Sequence, residues 1–129
     1  MPMISSQRNI LNGRKSNKMK NQQPYFKNKE VNWEDLGGGI SRQITGHNSN
    51  LMLVKVKFEK GAVGALHNHE HTQASYVASG KFKITIDGVA EILEVGDGFF
   101  VEPNLKHGAQ CLEAGILIDT FNPLRKDFL

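Results

Sequence analysis

The stretch HNHEHTQ, residues 67–73, holds three of the chain's five histidines and ends on a glutamine. Imidazole nitrogens and a carboxamide oxygen are ligands for a borderline divalent ion, so this stretch points to metal chemistry. In an extended chain successive side chains alternate faces. His67 and His69 therefore point the same way, with attachment points roughly 6 to 7 Å apart, and both rings can meet one ion. By parity His71 and Gln73 share that face, yet a straight strand would carry Gln73 about 20 Å from His67. Gln73 joins the pair only if the chain turns after His69. Residues 68–72 are polar and contain no strand-forming apolar side chain, which suits a turn. His71 then sits at the apex, outside the ligand set, and QASYVASG runs back antiparallel beside the first strand.

A fourth ligand must come from another strand, and PNLKHG supplies His107 after the rigid Pro103. Three neutral imidazoles and one amide oxygen suit Zn, Ni, Fe(II) or Mn without choosing among them. Gln73 is uncharged, so the ion would keep its full double charge, which favours Lewis-acid work on an anionic substrate. The alternative is a surface turn with incidental histidines. Near the C-terminus, LIDTFNPLRKDFL places Asp119 and Phe121 on one strand face, with Arg125 just beyond Pro123. Apolar neighbours make Asp119 a carboxylate rising from a buried strand, where it needs a partner or a purpose. A structural salt bridge to Arg125 is as good a reading as catalysis.

These residues need a scaffold, and the chain reads as short strands divided by turn signals, with no sustained helical period. ISRQIT ends at the turn GHNSN. In LMLVKVKFE, Met52, Val54, Val56 and Phe58 share one face, while Leu51 and Leu53 on the other suggest a start covered on both sides. KFKITID points Phe82, Ile84 and Ile86 inward, and Asp87-Gly88 is a hairpin signal into VAEILEV. The turn GDG leads to FFVEP. HGAQCLE and ILIDTF, separated by Ala114-Gly115, form the last pair. Strands at this spacing with glycine turns between them predict an antiparallel sandwich or small barrel.

At 129 residues the chain suits one domain, and no run approaches the roughly 20 apolar residues of a spanning helix. Its net charge of +3 is uneven. Residues 1–30 carry seven Lys or Arg against Glu30 alone, whereas residues 31–129 carry nine basic and twelve acidic side chains. The basic character belongs to a tail, and the folded part has no overall attraction for nucleic acid or an anionic membrane. Residues 1–24 lack periodicity and are read as a disordered basic tail, with Met19 as an alternative start; residues 25–129 form the domain. The single cysteine, Cys111, lies in a strand as a buried inert thiol. With no apolar signal run at the N-terminus, this predicts a reducing, cytoplasmic setting.

Gly61, five residues, His67, one, His69, three, Gln73, six, Gly80 resembles the first motif of the cupins, with Gln in the slot more often held by Glu. Gly96 to His107 spans the interval of the second motif. Its interior departs: Glu102 stands in the proline slot, and Asn104 replaces a turn glycine, a substitution that Asn tolerates because it accepts a left-handed backbone. The resemblance covers about residues 31–129 and implies an all-β jelly-roll barrel, the double-stranded β-helix, with a metal in its mouth and a homodimeric assembly.

HNHEHTQASYVASG, EPNLKHGA and DTFNPLRKDF together resemble the pectin-degradation cupins of the KdgF type, which open the ring of unsaturated uronates to the linear deoxy-keto uronate. That resemblance implies His67, His69, Gln73 and His107 as metal ligands and Asp119, Phe121 and Arg125 as active-site residues. The chemistry agrees. A metal can polarise the ring oxygen or carboxylate, Asp119 can shuttle the proton, Arg125 can grip the carboxylate and Phe121 can face the sugar ring. An iron-dependent cupin dioxygenase and a non-catalytic sugar- or metal-binding module are the competing readings.

Overall fold

The computed structural model describes residues 24–129. Apart from Pro24, the basic tail and Met19 lie outside the described residues. Eight strands follow: β1 (Glu34–Gly37), β2 (Ile40–His47), β3 (Met52–Phe58), β4 (Val63–His67), β5 (Thr72–Ile86), β6 (Val89–Glu94), β7 (Gly98–Val101) and β8 (His107–Asn122). Two single 3-10 turns, Asn28–Glu30 and Lys126–Phe128, are the helical segments among the described residues. No helix among them is long and apolar enough to cross a membrane.

All pairings are antiparallel, as the turn signals predict, and the sheet runs β1-β2-β3-β8-β5-β6, with β4 also on β8 and β7 also on β5. The two long strands, β5 and β8, pair with each other from Thr72↔Asn122 to Ile86↔His107 and form the spine. The hairpin at Asp87-Gly88 has both residues at positive φ, 49° and 82°, as that turn requires.

Three sequence expectations are corrected. QASYVASG and KFKITID are one strand, and so are HGAQCLE and ILIDTF: Gly80 and Ala114-Gly115 make no turn. They mark instead the place where the spine strands cross in close contact. A Cβ on Gly80 would stand 2.5 Å from the Glu113 carbonyl oxygen, and one on Gly115 would overlap the Ser79 carbonyl. Second, β5 does not return beside β4. A strand has two hydrogen-bonding edges, and at Gln73 both are filled, by Val101 on one side and Phe121 on the other. β4 pairs with β8 instead, and residues 68–71 cross between strands that are not neighbours. Third, Leu51 is exposed and Leu53 half-buried, so the start of β3 is not covered on both sides.

The β3 pattern otherwise holds, with Met52, Val54 and Phe58 buried. Phe58, Val77, Phe82, Ile84, Cys111 and Leu117 form the main core, and Met52, Val54 and Phe121 a second cluster. Cys111 is 1% exposed, and burial pushes its thiol pKa up, as befits an inert buried sulfur.

Bending β8 has a direct consequence for the site. A straight strand would separate His107 from Phe121 by about 46 Å. In the fold both rings approach His69, with centroids 4.7 and 5.7 Å away. The two ends of one strand thus contribute to one cavity.

Candidate functional site

His67 closes β4, His69 lies in the loop that follows, Gln73 opens β5 and His107 opens β8. His67 and His107 are cross-strand partners. The ring nitrogens of His67, His69 and His107 that could ligate an ion lie within 4.8 Å of one another. The backbone of the second loop secures the first: Asn104, at φ 70°, donates its N–H to the His69 carbonyl at 2.7 Å. That left-handed Asn104 is the conformation the sequence demanded there. His69 is not on a strand with His67, so loop geometry rather than strand parity turns its ring inward.

The proton positions on these rings follow from their partners. A backbone carbonyl can only accept, so each Nδ1 carries its proton: His67 donates to Ala65 at 2.9 Å, His69 to His71 at 3.0 Å and His107 to Leu105 at 2.9 Å. In a neutral ring held this way, Nε2 is the nitrogen left as a lone pair. Burial lowers the pKa of His69 and of His107, which keeps both rings neutral, the form that ligates. His107 Nε2 is buried without a hydrogen-bond partner. His69 Nε2 stands 2.8 Å from Gln73 Oε1, and a neutral ring has no proton to give there. One orphaned lone pair, and two more facing each other, are what a shared cation would satisfy, so the donor set fits a divalent metal. His71 is not part of the cluster, in keeping with its place at the turn.

His67, Gln73, His107, Asp119, Phe121 and Arg125 line one cavity of about 220 Å³, and His69 joins them through the ligand cluster. That volume is on the scale of a single small ring. Asp119 is buried, and desolvation pushes its pKa up to about 6 against the opposing pull of a hydrogen bond from Ser75 and the charges of Arg125 and His67. Ser75 Oγ donates to Asp119 Oδ1 at 2.6 Å. The alternative of an Asp119–Arg125 salt bridge does not hold among the described residues. Arg125 pairs with Asp127 instead, Nε to Oδ1 at 3.1 Å and Nη2 to Oδ2 at 2.8 Å. Phe121 is buried, meets His69 and Phe128 edge-on, and lies 5.1 Å under the Arg125 guanidinium.

Sequence reasoning missed three cavity neighbours. Ser75 shares the face of Gln73, two residues on, which strand parity shows, but its partner Asp119 is set by the β5–β8 register. Arg42 sits in the inward row of β2 with Ile40 and Ile44, an arginine among apolar positions; its guanidinium lies 4.0 Å over Phe128 and pairs with Glu34. Phe128, beyond the last strand, gave no periodic signal.

A model of the cupin domain matches residues 54–118. The pectin degradation protein KdgF of Dickeya dadantii (strain 3937) is 48% identical over 107 residues, covering 81% of this chain and 97% of that protein. Among solved structures, an RmlC-like cupin from Shewanella frigidimarina superposes with a TM-score of 0.82 at 48% identity, over 84% of this chain and 97% of that one. KdgF from Halomonas sp. superposes with a TM-score of 0.80 at 42% identity, over 84% of this chain and all of that one.

Proposed function

This chain belongs to the cupin domain family and is similar over most of its length to KdgF. From that premise we propose that it is a metal-dependent enzyme that opens the ring of 4,5-unsaturated uronates, the products of pectin or alginate lyases, to the linear 4-deoxy-5-keto uronate. One observation carries the reading beyond family likeness: Asp119, a buried carboxyl with a pKa of about 6, shares a ring-sized cavity with the histidine cluster and Arg125.

The reaction is an isomerisation. The hydroxyl on C1 gives up its proton and becomes an aldehyde as the bond between C1 and the ring oxygen breaks. The electron pair stays on that oxygen, now an enolate at C5, and C4 then takes the proton as C5 becomes a ketone. No atom is gained or lost. A group that accepts a proton from oxygen and returns one to carbon must be accessible in both protonation states near working pH, and burial moves the Asp119 carboxyl in that direction from its ordinary value. Asp119 is assigned this shuttle.

Arg125 binds the uronate carboxylate. Asp127 takes its Nε and Nη2, which leaves the Nη1 edge for substrate. Phe121 forms a flat wall of the cavity and supports the guanidinium from below. His67, His69, Gln73 and His107 would hold a divalent ion, Zn, Ni, Fe or Mn. Such an ion supplies Lewis-acid stabilisation of developing negative charge, worth several kcal/mol by typical estimates. The setting is cytoplasmic and the assembly a homodimer.

The direct test follows the ultraviolet absorbance of the unsaturated uronate. Purified protein should accelerate its loss over the spontaneous rate, and chelator should remove the acceleration. A rate equal to the spontaneous one would refute the proposal.

A further inference from the structure

Ser75 stands between two groups with different duties. Its Oγ lies 3.0 Å from Gln73 Nε2 and 2.6 Å from Asp119 Oδ1, and all three side chains are buried. A hydroxyl has one proton. Ionised Asp119 can only accept, so that proton goes to Asp119, and the serine oxygen is left to accept from Gln73. The amide must therefore turn its NH2 to Ser75 and its oxygen away, where Oε1 stands 2.8 Å from His69 Nε2. The flipped amide would set two oxygens 3.0 Å apart with no proton between them.

We propose that Ser75 is the positioning residue that selects the oxygen of Gln73 as the metal-facing atom and, through the same hydroxyl, reserves Oδ2 of Asp119 for proton exchange. Oδ1 is engaged by Ser75, so Oδ2 is the carboxyl oxygen that carries the proton when Asp119 is neutral. Strand geometry makes the arrangement possible. Gln73 and Ser75 lie two residues apart on one face of β5, and Ser75 is directly opposite Asp119 on β8.

The same single proton accounts for an amide rather than a carboxylate at position 73. A glutamate there would place two carboxylates against one hydroxyl, and only one could receive its proton. The other would be left buried without a donor, a costly state. The uncharged ligand and the buried acid are thus linked choices.

The assignment of Oδ2 rests on the ring-opening reading; the assignment of the Gln73 oxygen does not. The test uses the full chain with Ser75→Ala and Ser75→Thr, each checked for a native thermal transition, and measures Zn2+ affinity by competition with a chelating dye alongside kcat and KM. The alanine variant should bind Zn2+ about 10- to 100-fold more weakly and, at saturating Zn2+, lose about tenfold or more in kcat with little change in KM. The threonine variant keeps the hydroxyl and should restore both. Wild-type Zn2+ affinity in Ser75→Ala overturns the coupling, even if kcat falls. A folded Ser75→Thr as impaired as the alanine variant also overturns it. If the wild-type protein opens no ring, the proposed reaction fails, and the Zn2+ measurement still decides the role of Ser75 toward Gln73.

Discussion

His67 and His107, forty residues apart in the chain, are direct cross-strand partners with ring centroids 4.4 Å apart. Each anchors its Nδ1 proton on the carbonyl two residues before it, Ala65 for one and Leu105 for the other. The two strands thus present a matched pair of Nε2 lone pairs whose direction the backbone sets. Rings fixed in this way need little reorganisation to bind an ion.

Metal should therefore stabilise the native state. At a free metal concentration a thousandfold above Kd, mass action contributes about 4 kcal/mol. Thermal unfolding of chelator-treated protein should shift upward on adding Zn2+ or Ni2+, and His107→Ala should lose most of the shift. The gain should fade as pH drops toward 5, because protonated imidazole does not ligate. A melting temperature indifferent to metal would argue against the ligand set.

The spine crossing offers a second prediction. Gly80 has φ 81° and no room for a Cβ against the Glu113 and Ala114 carbonyls, whereas Gly88 has φ 82° and open space. Gly88→Ala should cost about 1–2 kcal/mol, the left-handed penalty alone. Gly80→Ala adds overlap with backbone that cannot yield and should cost about 4 kcal/mol or more, read as a shift in urea midpoint at constant slope. Equal losses would mean the crossing is less tight than its geometry implies.

That crossing also marks where the sequence stops being legible. Turn residues with positive φ, such as Asp87-Gly88 and Asn104, follow from local sterics and were readable. So were the inward faces of β3 and β5, because alternation is local. Gly80 and Gly115 carry the same local signature as turn glycines, yet their cause is contact with each other's strand across thirty-five residues of chain. Once a turn was assumed at each, the spine strands were cut in half and the pairing of β4 was lost. The ligand residues remained identifiable because side-chain chemistry does not depend on pairing. Ser75 and Arg42 did not, because a serine and an arginine acquire meaning only from what the register places opposite them.

Asp119→Asn keeps the shape and removes the proton. Ring opening should fall by a hundredfold or more, the usual scale of a lost general acid–base. Metal content, measured by atomic absorption, should stay at the wild-type level, because Asp119 lies outside the ligand cluster. Full turnover by this variant would exclude Asp119 from the proton path, and loss of metal would make it a structural support of the ligands.

Asp119 also sets a pH dependence of stability opposite to that of a salt-bridged carboxylate. Its folded pKa is raised from 3.8 to about 6, mainly by burial, so the folded state holds the proton more tightly than the unfolded chain. Between those values the unfolded state binds fewer protons, and stability must fall as pH rises. The loss begins near the unfolded pKa and is complete above about 6. About two units correspond to roughly 3 kcal/mol. In metal-free protein, where no bound cation offsets the buried charge, the stability of Asp119→Asn relative to wild type should therefore grow by about this amount between pH 3.5 and 7.5. Urea unfolding of both proteins across that range checks it. A difference that does not vary with pH would mean that Asp119 is ionised in the fold as readily as in the open chain, and burial would then not raise its proton affinity as the shuttle requires.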